Sequence, residues 1–289
     1  MTPFISVIVP FYNNRAEIGR CCASLLRQTY PKDRFEILFI DNNSTDNSAS
    51  IVAGHPGIQL LWEASAGAYA ARNQGIRKSK GEILVFTEAD CVVAPDWLSQ
   101  VANAMQSEIV QIVMGAYFGQ NTPFPAKALS AYENAKNRYI FTSGDESLYY
   151  GYTNNMAVRR GVFDQFGFFP EIARGGDVAL VRRVVDHGGA SIKFVPTMFV
   201  DHLEFQSVLD YYRKVYIHSR SVRRLHSKDV MRPLTSRERL NAFNDMVRAE
   251  RYSPLQALFL RAILAVGMLF WVAGWLVPLP QQAGPQSAR

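Results

Sequence analysis

Four short apolar runs, at residues 5–9, 35–40, 58–62 and 82–86, alternate with stretches of helical periodicity, and this rhythm limits the fold more than any other feature of the sequence. Strand-length runs separated by helix-length segments do not close as hairpins; they form parallel strands joined by right-handed crossovers. Helices are predicted over 16–29, 48–53 and 67–78, and Pro95 opens another, since proline is tolerated in a first turn. In such α/β sheets ligands bind outside the carboxyl ends of the strands. Just past those ends stand Tyr12, Asp41 and the pair Glu88 and Asp90. Polar side chains are therefore expected to converge on one edge.

Each of these groups has an ordinary reading beside a chemical one. Two isolated acids form a solvated turn, but Glu88 and Asp90 follow an apolar strand opposite Asp41, which suits a divalent ion holding a diphosphate. Asp41 opens the segment Asp41-Asn42-Asn43-Ser44-Thr45-Asp46, rich in acceptors. One such carboxylate can accept the imino hydrogen of a pyrimidine base, while Ser44 and Asp46 serve the turn and the helix cap. Tyr12 reads as a base-stacking ring or as plain packing. Arg72 reads as a phosphate ligand or as a surface arginine.

The second half is less regular. Strands are predicted over 109–117, 150–158, 191–195 and 197–200, and helices over 126–139, 177–186 and 207–225, followed by a loose basic connection. Taken alone, Asp177 after Gly175-Gly176 is a helix N-cap. With 48% apolar and 19% charged residues, the 289-residue chain has enough apolar side chain for a full core. Its three cysteines, two of them adjacent, give neither a disulfide framework nor a zinc spacing and are expected to be reduced packing residues. The start of the chain carries no signal-peptide pattern, so the catalytic part is expected in the cytosol.

The net charge of +6 is concentrated: residues 213–251 hold eleven Lys/Arg against four Asp/Glu, which leaves the rest nearly neutral. Arg213, Lys214, Arg220, Arg223, Arg224, Lys228 and Arg232 precede an uncharged apolar run at 262–279, an arrangement suited to an anionic membrane surface. Nucleic acid is the competing partner and is set aside, because no nucleic-acid module is recognisable and Tyr211, Tyr212 and Tyr216 fit a packing face. Arg261 and Pro278 bound a segment at the short edge of a membrane span, so an interfacial or packed helix competes with a spanning one.

The blocks Ser6-Val7-Ile8-Val9-Pro10-Phe11-Tyr12-Asn13, Ile40-Asp41-Asn42-Asn43-Ser44-Thr45-Asp46, Ala71-Arg72-Asn73-Gln74-Gly75 and Gly81 through Asp90 occur in one order and spacing. Over residues 4–205 this set resembles family 2 glycosyltransferases. The resemblance implies a GT-A fold with a Rossmann-like, mainly parallel sheet flanked by helices, a nucleotide-diphosphate sugar donor (UDP-sugar favoured), Mn or Mg, and inversion of the anomeric centre. It implies a catalytic domain at 1–205, divided near 105 into nucleotide-sugar and acceptor halves. A basic helical extension at 206–254 and an apolar membrane-associated helix at 255–280 complete the organisation expected from the sequence.

By the same resemblance Pro10, Tyr12, Asp41, Arg72 and Glu88 are assigned to the nucleotide sugar, Asp90 and His202 to the metal, and Asp177 to the catalytic base. Two positions depart from the family pattern: Glu88 stands where Asp is usual, and Gly176 where Glu is common. The expected acceptor is a glycan or lipid-linked sugar in polysaccharide or glycolipid assembly, at the cytoplasmic face of a membrane. A sugar nucleotidyltransferase is the rival enzyme class, and it would carry a glycine-rich basic loop where Pro10-Phe11-Tyr12-Asn13-Asn14 stands. A nucleotide-sugar-binding protein without activity is the third reading, prompted by Glu88 and Gly176.

Overall fold

The computed structural model describes residues 2–118, 122–188, 191–203, 207–225 and 231–277. Lys228, the boundary near 205 and the end of the apolar segment at 278–280 lie outside the described residues.

Eight strands form one mixed sheet: β1 (Ile5–Phe11), β2 (Phe35–Asp41), β3 (Gln59–Trp62), β4 (Ile83–Thr87), β5 (Cys91–Val93), β6 (Val110–Phe118), β7 (Asn155–Arg159) and β8 (Ser191–His202). Their order is β3-β2-β1-β4-β7-β6-β8-β5. The first four are mutually parallel, as their crossover lengths require. Both faces of β1 are buried. Ile5, Val7 and Val9 face a core shared with Ile18 and Leu25 of α1 (Ile18–Leu26) and with Trp97 of α4 (Trp97–Ala104). On the opposite face Ile8, Leu38, Ile40 and Phe86 pack with Ile76 of α3 (Ala68–Lys78), Phe163 of α6 (Arg160–Phe166) and Leu180 of α7 (Gly176–Asp186). Each such side chain contributes roughly 1.5–3 kcal/mol by leaving water.

The second half departs from the predicted pattern at several points. β7 runs antiparallel between β4 and β6, and only residues 155–158 of the predicted 150–158 strand pair. The two late strands predicted around Pro196 are one strand: β8 continues past the proline because Pro196, Thr197 and Met198 are looped out where the register jumps from Gly115↔Val195 to Ala116↔Phe199. Its far end pairs with β5, a three-residue strand that the sequence did not announce. At the sheet centre the fully buried Asn155 accepts from Trp97 Nε1 at 2.9 Å and donates to the carbonyls of Ala116 and Met198. A Cβ at Gly115 would lie 2.2 Å from its amide nitrogen, so only glycine fits there.

Beyond β8, α8 (Val208–Leu225) lies along α10 (Pro254–Leu276). The expected loose connection contains α9 (Ser236–Ala249), opened by a capping box between Thr235 and Glu238. A second box, Ser253 with Gln256, and Pro254 in the first turn start α10. The first half of α10 is built into the protein: Leu260 meets Phe243 and Met246 of α9 and Tyr132 of α5 (Ala126–Thr142). Arg261, the charge inside the apolar stretch, lies over the Phe243 ring and bonds Asn244. Among the described residues all three cysteines are buried and free.

Candidate active site

The loops after β1 and β2 are tied together before they present any chemistry. Asn13, Asn43 and Asn47 have positive φ, a conformation asparagine tolerates better than most residues. Asn13 accepts from Thr45 N–H at 2.8 Å, Asn14 N–H donates to Ser48 Oγ at 2.9 Å, and Arg15 N–H donates to Asp46 at 3.0 Å. Ser44 and Asp46 thus do structural work, as expected. Asn42 fastens the next loop, donating to the carbonyls of Glu63 and Ser65 and accepting from Gly67 N–H at 2.7 Å. That set of bonds places the start of α3 at the strand ends.

The result is a cleft of about 250 Å³ lined by Pro10, Phe11, Tyr12, Asn14, Asn42, Ala68, Arg72 and Glu88 through Asp90. Tyr12 is 59% exposed over it, an open ring. Asp41 lies beside the cleft rather than in its wall, buried, with Oδ1 accepting from Ser44 N–H at 2.9 Å.

Glu88 occupies the centre. Its Oε1 is 3.1 Å from Arg72 Nη2 and its Oε2 is 3.6 Å from His202 Nε2. The same imidazole nitrogen is 3.6 Å from Asp90 Oδ2. The extra methylene of Glu88 relative to Asp lets one carboxylate reach both neighbours. Burial by itself would raise this carboxyl, but the neighbouring His202 imidazole and the Arg72 charge hold it well below the ordinary carboxylate range. For His202 burial works downward and is outweighed by Glu88 and Asp90, which raise it. On the far side of the ring, Lys214 Nζ of α8 is 3.3 Å from Nδ1.

The donor set fits a divalent ion. Asp90, Cys91 and His202 offer ligand atoms within 4.8 Å of one another. Cys91 is the weakest of them, because burial and then the nearby Asp90 and Glu88 charges push its thiol far up and keep it protonated. Carboxylate and imidazole remain as the donors for a divalent ion.

Asp177 sits in the first turn of α7, after Gly175 in the left-handed conformation. Its Oδ1 accepts from Tyr69 Oη at 2.8 Å and from Val178 N–H at 2.9 Å. Burial raises its carboxyl above the ordinary range, and the Tyr69 bond and Arg72 charge only partly offset this. Tyr69 stands one turn before Arg72 on α3, with the guanidinium 5.3 Å from its ring centre. The departure at Gly176 has a steric cause: a Cβ there would lie 3.0 Å from the Tyr69 ring and from Pro170 O. Gly151 is more strictly constrained, since its Cβ would meet Asp177 O at 2.6 Å.

Tyr69 and Lys214 were missed by sequence reasoning. Tyr69 had a signal, the i, i+3 relation to Arg72 on one helix face. Lys214 had none, because only the tertiary fold returns α8 to the strand ends. Asn73, next to Arg72, holds the loop before α7 by exchanging bonds with the Phe169 backbone. Arg182 and Arg183 turn away from the site: Arg182 donates to Glu146 O, and Arg183 donates to Phe166 O and Phe168 O.

A mixed sheet flanked by helices, with acidic residues at the end of its fourth strand and a first-turn carboxylate facing the same edge, defines the GT-A class of fold. Residues 6–167 match the family Glycosyl transferase family 2, and the chain belongs to that family. Among curated relatives, glycosyltransferase AglE of Haloferax volcanii is 33% identical over 194 residues, 64% of this chain and 62% of its own length. Glycosyltransferase GlyG of Streptococcus pneumoniae is 28% identical over 50% of this chain and 46% of its own. The chain thus spans less than two thirds of the length of these relatives. Among solved structures, mannosyltransferase PcManGT from Pyrobaculum calidifontis, in complex with GDP-Man and Mn2+, superposes with a TM-score of 0.65 at 18% identity, covering 95% of this chain and 86% of that one. S. aureus TarS 1-349 in complex with UDP gives a TM-score of 0.56 at 18% identity, covering 94% and 89%.

Proposed function

We propose that the chain is an inverting glycosyltransferase that moves a sugar from a nucleotide-diphosphate sugar, a UDP-sugar being favoured, to a glycan or lipid-linked acceptor in polysaccharide or glycolipid assembly. One observation carries the reading: Asp177, a part-buried carboxylate of raised proton affinity, is held by Tyr69 one helical turn from Arg72, which bonds Glu88 of the acidic strand end. In a single displacement the acceptor oxygen attacks the anomeric carbon opposite the diphosphate. Its proton passes to the oxygen of Asp177 not engaged by Tyr69, and the electrons of the breaking carbon–oxygen bond leave with the diphosphate. Arg72 lies where that negative charge grows. Asp90 and His202 would hold Mn or Mg, which supplies Lewis-acid stabilisation of the leaving diphosphate. Tyr12 and Pro10 face the nucleotide, with Asp41 at the base.

The ligands bound in the structural relatives, GDP-Man with Mn2+ and UDP, lie within this donor class. The nucleotidyltransferase reading lacks its glycine-rich loop, and that segment is instead pinned by Asn13 and Asn14. The inactive reading loses force because the space at Gly176 is taken by Tyr69, which orients Asp177.

Membrane contact enters through α10, 23 residues or about 35 Å at helical rise, whose most apolar 18 residues have a mean hydropathy of 2.0 and are only 22% buried. We place this helix in the plane of the cytoplasmic membrane surface. α8 runs parallel to it, with Tyr212 bonding Ile263 O and Ser219 bonding Trp271 O, so a vertical span would draw Arg213 and Arg220 into hydrocarbon.

The test is a thermal-shift screen of the full chain with Mn and UDP, GDP or their sugars, followed by transfer assays. A donor should raise the melting temperature. Asp177→Asn should keep that shift and lose turnover by roughly 10²–10⁴-fold. Retained turnover removes Asp177 as base, and no shift with any nucleotide removes the donor reading.

A further inference from the structure

We propose that Asn154 is a ligand of the transferred sugar, a side chain that selects the donor by bonding hydroxyl groups of its pyranose ring. Two adjacent asparagines stand at the start of β7, and they differ in one respect. Asn155 commits its whole carboxamide to the fold, accepting from Trp97 and donating to Ala116 O and Met198 O. Asn154 commits none of its own. Among the described residues its half-buried side chain is tied to no neighbour, and its Oδ1 is buried without a donor. Buried acceptors are paired in nearly all proteins, because an unpaired one has given up its bond to water.

The position of Asn154 identifies the donor that Oδ1 lacks. Across the site edge the strands run in the order β2, β1, β4, β7. Asp41 ends β2, Tyr12 follows β1 and Glu88 follows β4. Asn154 precedes β7, the next strand, about 4.8 Å further on. Its backbone is fastened there: Thr87, the residue before Glu88, pairs with Asn155, and the Thr87 hydroxyl donates to Asn154 O at 3.0 Å. Three residues earlier, Gly151 lies against the backbone of Asp177, so closely that a Cβ would come 2.6 Å from its carbonyl oxygen. Residues 151–154 therefore cross from the proposed base to the acidic strand end. A nucleotide with its base at Asp41 and its diphosphate at Glu88 carries its sugar past this segment, because the anomeric carbon must lie between the diphosphate and Asp177. A diphosphate has no proton to give an amide oxygen, whereas a sugar hydroxyl has. A carboxamide also answers two hydroxyls at once, Oδ1 accepting from one and Nδ2 donating to the other. A sugar that lacks or misplaces those hydroxyls leaves the carboxamide unpaired, which is how such a contact sets specificity.

This inference rests on the donor reading above, and the experiment keeps the two apart. Calorimetry with Mn compares UDP with UDP-glucose and UDP-N-acetylglucosamine, and GDP with GDP-mannose, on the full chain as wild type, Asn154→Ala and Asn154→Leu. The quantity read is the ratio of nucleotide-sugar Kd to nucleotide Kd. For the nucleotide sugar that wild type binds, this ratio should rise about tenfold in the variants, the scale of one or two neutral hydrogen bonds, while the nucleotide Kd stays as in wild type. Circular dichroism should show at least one variant melting at or above the wild-type temperature, since no bond is lost and the unpaired Oδ1 is gone. An unchanged ratio would overturn the proposal. A parallel loss of nucleotide and nucleotide-sugar affinity would also overturn it, making Asn154 a support for Glu88 or the metal, and a lower melting temperature in both variants would make it a structural residue instead. Failure of wild type to bind any of these nucleotides would overturn the donor reading itself.

Discussion

Asp177 depends on its neighbours for both direction and proton affinity. Burial raises its carboxyl, whereas the Tyr69 hydroxyl pulls it back by bonding the ionised form. Tyr69→Phe removes only the lowering contribution, so the carboxyl should titrate higher still. A base must be ionised to accept a proton, so the acidic limb of the kcat/KM profile should move to higher pH, with most activity recovered on the alkaline side. A limb that stays in place would deny Tyr69 this role. Glu88 teaches a related lesson. A comparison of motifs makes it the deviant position, yet its longer side chain is what bridges Arg72 and His202.

At the scale of elements, the helices of the tail show how local and long-range signals divide. α9 was legible in Thr235-Ser236-Arg237-Glu238, a capping box overlooked among the basic residues around it. The pairing of α8 with α10 was not legible, because it depends on two glycines meeting a particular partner. A Cβ at Gly267 would come 3.2 Å from Tyr211, and one at Gly274 only 2.5 Å from Tyr216 O. Gly274→Ala should therefore force the helices apart and destabilise the chain by about 1–3 kcal/mol despite the better helix propensity of alanine. Gly161→Ala, in α6 with open space around the site, is the control and should be neutral or stabilising by up to about 1 kcal/mol. If both variants melt alike, the close approach of α8 and α10 is wrong.

For the whole molecule, the question is how a GT-A body bears an apolar helix whose outer face carries Leu258, Met268, Leu269 and Leu276, all more than half exposed. An in-plane helix beside a cationic one binds by apolar burial and by charge together. Membranes carrying the chain should keep it through a high-salt wash and release it in alkaline carbonate. Complete release by salt would reduce the attachment to charge alone, and retention after carbonate would favour a spanning helix.

The parallel half of the sheet and the edge at which Tyr12, Asp41, Glu88 and Asp90 gather follow from the order of the amino acids, since strand period and crossover length are local properties that fix where strand ends point. The motif blocks of the sequence also determined the family. The tertiary structure alone decided that β7 inserts antiparallel, that β8 runs past Pro196, and that His202 and Lys214 arrive at Glu88 and Asp90 from distant elements. It also decided that Tyr69 fills the space left by Gly176. Those features arise from packing and hydrogen bonding between segments far apart in the chain, and no periodicity in either segment records the partner it will meet.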